Sequence, residues 1–375
     1  MEEPHAFKDG GSLTGVEVAG LVAVPLASLV AMVLLLRVVF KPNDEPNSRK
    51  SPNYGAVSHA VDAEEDDMIY AGQVAANYTA PWTATFDLVF LLSMLASFVA
   101  LIVSTRFARP DLWTNAQFWQ GLAIQLAGIL AVSTVGGLIC RGFGIINDEG
   151  YLLTTISASF KVNYTRKCHH LAAYILPLLN PWSIVDGDTT QLPLLWSYFS
   201  ILVSFVLLVK PLRERFVWCM IQFNGHDRPD DRPHTLKWLV VGNVVPGFVL
   251  VVLLHALLGN RHILVVIVAI ALIGDALAEL VGVNWGRHKY VASSFWSTRW
   301  SMRSWEGSAA VYVTSIVLLA LGYRTFYSML QVWVAMAVVP PLVTYTEAVA
   351  PRTLDTPALV AVTGGLVFGI LHLVP

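Results

Sequence analysis

The chain has 375 residues, of which 55% are hydrophobic and 13% are charged, and its formal net charge is −2 at pH 7. Soluble domains carry about 25% charged residues, so the composition excludes an ordinary soluble protein, and the nearly neutral charge gives no reason to expect a nucleic-acid partner. Three cysteines without CxxC spacing argue against a disulfide framework and against a zinc site.

Apolar runs long enough to cross a bilayer, about 20 residues each, recur along almost the whole chain. The sequence predicts an all-α, polytopic transmembrane bundle, because the ~10-residue alternating segments of a membrane β-barrel are not seen. The predicted spans number about ten: 16–40, 84–105, 117–139, 168–185, 192–209, 238–258, 262–283, 308–322, 326–346 and 357–374.

The loops between these spans differ in their content of lysine and arginine. Most of these residues fall in the loops that ten alternating crossings place on the side opposite the N-terminus. Because positively charged loops stay on the cytosolic side, we expect both termini to lie outside. An endoplasmic reticulum membrane and a bacterial inner membrane both satisfy this charge rule.

The chain divides into two predicted regions. Residues 1–160 form an N-terminal membrane region with three spans and a polar, proline-containing linker at 41–83, which we expect to be flexible and cytosolic. Residues 161–375 form a second membrane region, which contains the polar clusters described next.

The run Gly274–Gly282 places Asp275 and Glu279 inside the seventh predicted span. A charged side chain in the bilayer core costs roughly 2.5–3.5 kcal/mol on insertion scales, so such a residue marks a functional-site candidate. The two carboxylates are four residues apart and therefore share one face of a helix. A structural pair with a buried Arg or His remains the alternative interpretation.

Three further polar clusters fall on the predicted cytosolic side. The fourth span begins with Arg166–His170, the loop at 225–234 contains acidic, basic and proline residues, and Glu347 precedes Asp355 at the end of the ninth span. Alternatively, Arg166–His170 is only a positively charged membrane anchor, and Glu347 is an ordinary charge at a membrane boundary. For the loop at 225–234, a solvated loop without a binding role is the favoured interpretation.

Together the four clusters supply carboxylates for Mg²⁺ and cationic groups for phosphate oxygens, which is the equipment of phosphoryl transfer. The dipeptide Gly-Lys is absent, so there is no Walker A loop. Any nucleotide chemistry therefore needs a site built between membrane helices.

The segment from Gly274 to Ser308 resembles the core signature of the CTP-dependent polyprenol kinase family, which includes dolichol, phytol and farnesol kinases and a CTP-dependent diacylglycerol kinase. The matching positions are Gly274, Asp275, Ala276, Ala278, Glu279, Gly282, Gly286, Arg287, His288 and Lys289, followed by Arg303, Ser304, Glu306, Gly307 and Ser308. Upstream Arg166, Lys167 and His170 are similar to an Arg-Lys-x-x-His element of that family. Downstream Glu347 and Asp355 are similar to its acidic positions, and the resemblance covers about half of the chain.

This resemblance implies transfer of the γ-phosphate of CTP, with Mg²⁺, to a lipid alcohol at the cytosolic membrane surface. The implied catalytic residues are Asp275, Glu306, Lys289 and Arg303. The implied Mg²⁺ ligands are Asp275, Glu306, Glu347 and Asp355. The positions implied to bind or support the nucleotide are Gly274, Glu279, Gly282, Gly286, Arg287, Ser304, Gly307, Arg166, Lys167 and His170.

Two positions depart from the family pattern, because Arg303 stands where lysine is usual and Thr356 stands where asparagine follows the aspartate. We expect a membrane lipid alcohol and a nucleotide as partners, with a homodimer as an open alternative. Other functions also remain open: a diacylglycerol kinase, a phosphatidate cytidylyltransferase, an ion-coupled transporter that uses Asp275 and Glu279, and a subunit without catalytic activity.

Overall fold

The computed structural model describes residues 13–38, 81–155, 160–184, 188–228, 231–295, 300–351 and 354–375. Each of the ten predicted spans coincides with a helix, and two small β-hairpins lie between helices. In chain order the elements are α1 (Gly15–Val38), α2 (Pro81–Ala108), α3 (Ala116–Gly142), β1 (Gly144–Ile146), β2 (Leu152–Thr155), α4 (Val162–Leu179), α5 (Leu192–Val206), α6 (Lys210–Arg215), α7 (Val217–Asn224), α8 (Thr235–Leu258), α9 (Arg261–Asn284), β3 (Lys289–Ser293), β4 (Trp300–Ser304), α10 (Trp305–Leu321), α11 (Met329–Val349) and α12 (Asp355–Leu373).

Seven helices in the described part of the chain are long and apolar enough to cross a membrane: α1, α2, α3, α8, α9, α11 and α12. The chain is therefore a helical membrane protein. Helices α5 and α10 are apolar but shorter, and α4 contains polar side chains over its first half.

Helix α4 begins six residues earlier than the predicted fourth span and ends six residues earlier. The predicted boundary followed the apolar run, whereas the first two turns of the helix carry polar side chains that are buried against other helices. Its end is set by Pro181, because a residue that precedes proline is pushed out of helical geometry. Arg166 and Lys167, ahead of the predicted span, consequently lie within the helix together with His170.

Two short β-hairpins accompany the helices of the predicted all-α bundle in the described part of the chain. Strand β1 pairs with β2, and β3 pairs with β4, both antiparallel. In the second hairpin Lys289 is opposite Ser304 and Tyr290 is opposite Arg303. Of the positions that carry the family resemblance, Lys289, Arg303 and Ser304 therefore lie in a β-hairpin between α9 and α10.

One continuous apolar core joins the two predicted regions, since it runs from Phe90 on α2 to Ile370 on α12. Helix α3 packs against α4, α5 and α7, while α9 packs against α4, α10 and α12. The α4–α9 contact positions the Arg166–His170 cluster against the helix that carries Asp275 and Glu279. Of the predicted linker at 41–83, residues 41–80 lie outside the described part of the chain, and α2 begins at Pro81.

Candidate functional site

Lys167 on α4 contacts both carboxylates of the apolar helix α9. Its Nζ lies 3.0 Å from Asp275 Oδ2 and 2.9 Å from Glu279 Oε2, and it also donates a hydrogen bond of 2.7 Å to the backbone carbonyl of Asp275. One ammonium group reaches two acids because residues four apart lie one above the other on a helix. The predicted acidic pair thus has a basic partner, and that partner is a lysine.

Polar neighbours extend this ion pair into a larger cluster. Asn163 donates a hydrogen bond to Glu279. Buried Glu347, from the end of α11, and half-buried Asp355, from the start of α12, lie near enough to interact electrostatically with Asp275 and Lys167. We call these residues the Lys167 cluster: Asn163, Lys167, Asp275, Glu279, Glu347 and Asp355.

A second ion network adjoins the Lys167 cluster. Arg166, which is only 3% exposed, pairs with Asp231 of the loop between α7 and α8, and Arg228 Nη2 lies 2.8 Å from the same carboxylate. Burial acts to raise the pKa of Asp231, but the guanidinium groups of Arg166 and Arg228 hold it below its usual value. Arg166 and Arg228 also interact with the charge of Asp355, so the network faces the cluster.

The prediction of a solvated loop at 225–234 is wrong for the part that the structure describes. Asp227 and Asp231 are buried, and Arg232 Nε lies 3.0 Å from Asp227 Oδ2. Thr235 donates a hydrogen bond of 2.7 Å to the same aspartate. Buried charges need such partners, and the sequence pattern could not reveal that the loop folds inward.

Three histidines form a buried group beside these charges. His169 and His170 lie on α4, and His226 belongs to the α7–α8 loop; the rings of His169 and His226 are 4.3 Å apart. His226 Nε2 is 3.2 Å from Ser133 Oγ on α3. Burial lowers the pKa of His226 well below its usual value, and the neighbouring histidines and Arg166 act in the same direction. His170, expected to bind the nucleotide, is buried in this group.

Two of the four residues implied as catalytic serve the junction between α9 and β3. The Glu306 carboxylate accepts hydrogen bonds from the backbone N–H of Arg287 at 2.9 Å and of His288 at 3.2 Å. Lys289 Nζ donates to the carbonyl of Gly282 at 2.8 Å, an ordinary cationic contact at a helix C-terminus. Gly282 follows Asp275 by seven residues, about 10 Å along a helix, so these bonds are made away from Lys167.

Arg303 connects the hairpin to the end of α11. Its Nη1 lies 3.0 Å from Glu347 Oε1, and its Nη2 donates to the Glu347 carbonyl at 3.1 Å. The planar guanidinium can reach both oxygens, whereas a lysine would offer a single charged point. The arginine that departs from the family pattern therefore matches its surroundings in this chain.

The glycines of the signature bring α9 and α10 into close contact. A Cβ on Gly307 would lie 2.6 Å from the backbone oxygen of Ala278, and one on Gly282 would lie 2.8 Å from Ser304 Oγ. Ser304 caps α10 by accepting the N–H of Gly307 at 3.1 Å. Gly286 is similarly crowded, whereas a Cβ on Gly274 would make only an ordinary contact of 3.5 Å with Val311. The geometry therefore assigns Gly282, Gly286, Gly307 and Ser304 a packing role. Arg287, which was also expected to bind the nucleotide, has an exposed side chain.

Asn243 is a site residue that the sequence pattern did not single out. It lies in a π-helical stretch of α8, Trp238–Val244, and is 2% exposed. Its Nδ2 donates to Asp355 Oδ1 at 3.3 Å and to Thr356 Oγ1 at 3.1 Å. Tyr174 donates to its backbone carbonyl at 3.0 Å. A single amide within an apolar run was the available signal, and π-helical turns often mark functional sites.

The four carboxylates implied as magnesium ligands do not form one set. Glu306 is used by the α9–β3 junction, and Glu347 is paired with Arg303. In the described ranges no three or more His, Cys, Asp or Glu side chains are grouped so that they could hold a metal ion. Asp275 and Asp355 are two like charges that interact electrostatically, and magnesium sites commonly use one or two carboxylates together with substrate phosphates.

A cavity of about 440 Å³ lies at the other end of α4, lined among others by Gln117, Leu176 and Trp182. Leu176 follows Lys167 by nine residues, or about 14 Å along the helix. The cavity is therefore separate from the Lys167 cluster.

Comparisons of the chain with protein-family models, with curated proteins and with solved structures found no match. The candidate site consequently rests on its geometry and on the residue pattern alone.

Proposed function

We propose that the protein is a CTP-dependent kinase that transfers the γ-phosphate of CTP to a membrane lipid alcohol of the phytol, farnesol or polyprenol type. The observation that supports this function is the convergence on Lys167. Segments separated by almost 190 residues of sequence, around Lys167, Asp275, Glu347 and Asp355, meet at one place. These are the segments that carry the family resemblance.

The chemistry assigned to the site is a displacement at phosphorus. The lipid hydroxyl oxygen forms a bond to the γ-phosphorus, the bond from that phosphorus to the β–γ bridging oxygen breaks, and CDP leaves. A carboxylate of the Lys167 cluster accepts the hydroxyl proton. Bound Mg²⁺ would neutralise phosphate charge, and Asp275 with Asp355 would hold it. Lys167, Arg166 and Arg228 provide the remaining positive charge for the phosphate oxygens.

We further propose that all ten long helices cross the membrane, with both termini outside and the Lys167 cluster on the cytosolic side. Contacts between helix ends support this arrangement, because they join ends that successive crossings bring to the same side. Lys210 N–H donates to Asp87 at 2.8 Å on the cytosolic side, and Arg109 pairs with Asp188 at 2.6 Å on the outer side. Labelling of single cysteines introduced at 148 and 111 with a membrane-impermeant reagent in sealed vesicles tests the orientation. If reagent applied to the non-cytosolic face of the membrane labels only the cysteine at 148, the proposed orientation is reversed.

The decisive experiment uses the purified protein in lipid vesicles with CTP labelled at the γ-phosphate, Mg²⁺, and phytol, farnesol, a polyprenol or diacylglycerol. We expect label to appear on at least one prenyl alcohol, and Asp275→Asn to abolish the transfer. Glu279→Gln should only weaken it, because Asp275 still pairs with Lys167. Asp111→Asn, which changes an exposed carboxylate at the outer end of the bundle, is the matched control.

The other functions give different outcomes in the same assay. Transfer of label from the α-phosphate would identify a cytidylyltransferase, and labelling of diacylglycerol alone would move the assignment to that kinase. A folded preparation that labels none of the four acceptors contradicts the proposal. In that case ion-driven flux into proteoliposomes, lost in Asp275→Asn, would favour a transporter.

A further inference from the structure

The β3–β4 hairpin has one face packed on the protein and one face directed away from it. On the inner face Ala292 is buried, Tyr290 Oη lies 2.7 Å from Ser308 Oγ, and Arg303 pairs with Glu347. The Phe295 N–H donates to the Val349 carbonyl at 3.0 Å, which holds the end of β3 to α11. The hairpin is therefore fixed to the helices and does not extend freely into solvent.

The middle of the outer face of the hairpin is apolar, and the exposed polar residues Lys289 and Ser293 flank it. Val291 and Met302 are direct cross-strand partners, and they are 59% and 69% exposed. Phe295, in the turn that follows β3, is 66% exposed. A sheet with one face packed and one face solvated normally alternates apolar with polar residues. The two exposed cross-strand partners, together with Phe295 beside them, therefore favour an apolar environment.

The position of the hairpin indicates what that environment is. It begins five residues after the end of α9, a helix long and apolar enough to cross a membrane. Val283 and Trp285, at the end of that helix, are also exposed, so exposed apolar side chains occur both at the end of the span and on the hairpin that follows it. Tryptophan is enriched at the membrane–water interface. The exposed Arg287 lies between the helix and the hairpin, at the level where lipid phosphates would attract it.

We propose that the outer face of the β3–β4 hairpin lies in the interfacial layer of the bilayer, with Val291, Phe295 and Met302 among the upper acyl chains. The occupant of this apolar face is the lipid surface itself. Since the inner face of the same hairpin positions Arg303 against Glu347, the edge of the Lys167 cluster is held at headgroup depth. This inference depends on the hairpin and not on the use of CTP.

Fluorescence quenching by brominated lipids tests this contact directly. Met302→Cys is made in the full-length chain with the exposed Cys168 replaced by serine, labelled with bimane and placed in lipid nanodiscs. We expect the bimane at 302 to lose fluorescence when the phosphatidylcholine carries bromine high on its acyl chains. Glu149→Cys, at the exposed turn of the β1–β2 hairpin, is the matched control and should lose none.

Val291→Cys provides a second position if Met302→Cys does not fold, and it should behave in the same way. Bimane at 302 or 291 with the emission of a water-exposed dye and no quenching would overturn the proposal. Emission shifted to the blue without bromine quenching would also overturn it, because the face would then be covered by protein, such as a second copy of the chain. Both results are independent of any kinase assay.

Discussion

Lys167 lies between two carboxylates that are one helical turn apart, in a part of the molecule that is almost closed to solvent. The side chain of Lys167 is 12% exposed, and those of Asp275 and Glu279 are 11% and 20% exposed. Without this ammonium group, two like charges would face each other on an apolar helix. The lysine is therefore the residue on which the local charge balance depends.

We expect Lys167→Met to destabilise the protein by about 3–5 kcal/mol, because removal of one partner leaves a buried charge uncompensated. Thermal unfolding in detergent measures the change, and Cys168→Ser, at the exposed neighbouring position, is the control. Adding Asp275→Asn and Glu279→Gln to Lys167→Met should recover most of the stability while phosphate transfer stays lost. An unchanged unfolding temperature in Lys167→Met would contradict the ion pair.

Asn243 supplies an amide beside Asp355 and Thr356, where the family pattern has an asparagine at position 356. If the proposed function is correct, Asn243→Ala should lower the affinity for Mg²⁺ on the order of 10- to 100-fold, because metal-binding carboxylates lose about this much when a hydrogen-bond partner is removed. The measurement is transfer from γ-labelled CTP as a function of Mg²⁺ concentration.

Thr356→Asn in the Asn243→Ala background distinguishes positioning from simple loss of packing. It should restore much of the Mg²⁺ affinity, because the new amide lies next to Asp355. If the double variant is no better than Asn243→Ala, the amide does not orient the carboxylate. A structural defect alone would lower the unfolding temperature and leave the Mg²⁺ dependence unchanged.

At this scale the sequence identified the acids and missed their partners. Asp275 and Glu279 are conspicuous because charge is rare in an apolar run, but the bonding of Lys167 depends on how α4 packs against α9. Glu306 and Lys289 show the opposite case. Both match a signature, yet the structure uses them to close a loop, and no sequence pattern distinguishes the two uses.

At the scale of the elements, the glycines of the signature bring the backbones of α9 and α10 close together. Gly307→Ala would place a methyl group against the backbone oxygen of Ala278, which cannot move independently of α9. We expect a loss of about 1–3 kcal/mol, as for other overpacked positions, measured by unfolding in denaturant. The matched change Gly274→Ala meets open packing and should gain up to about 1 kcal/mol from helix propensity. Equal effects of the two changes would contradict the packing role.

Helices were predictable as elements because an apolar run of about 20 residues is seldom anything but a membrane-spanning helix. The hairpins were not, since strands of three to five residues inside a connection between helices give a weak pattern. The boundary of α4 failed for a related reason. Its polar first turns look like a loop until the neighbouring helices that bury them are known.

For the molecule as a whole, the buried histidines predict a dependence of stability on pH. His226 is uncharged in the folded protein because burial lowers its pKa well below 6.5, whereas in the unfolded chain its pKa is about 6.5. The unfolded state therefore binds the proton more readily, and stability falls as the pH decreases below about 6.5. His169 and His170 on α4, Arg166 and Ser133 face the same ring and share its environment.

Unfolding temperatures between pH 8 and pH 5 measure this effect, and His226→Gln should reduce the slope below pH 6.5. The comparison uses the slope and not the absolute stability, so a destabilised variant remains informative. A slope that is the same in both proteins would show that His226 does not take up the proton. Protonation of Asp231, which would weaken its ion pairs, occurs in a separate and more acidic pH range, because the pKa of that carboxylate is lowered.

The convergence of four distant segments could not be derived from the sequence, even though each segment was recognisable. Alternating crossings place their ends on one side of a bundle, but not next to each other. The α4–α9 and α9–α12 contacts bring them together, and those contacts follow from side-chain packing over the whole core.

Because α2 and α12 belong to one apolar core, a shorter fragment of the chain is not expected to keep the polar centre intact. A fragment that began at residue 161 would carry every position that resembles the kinase family, yet it would lack α3, whose Ser133 contacts His226 and which packs along α4. Without α3, one side of α4 would be exposed to lipid or water, and the ion pair of Arg166 with Asp231 would lose part of the protein that buries it. The helices that resemble nothing are thus as necessary to the polar centre as those that match the signature.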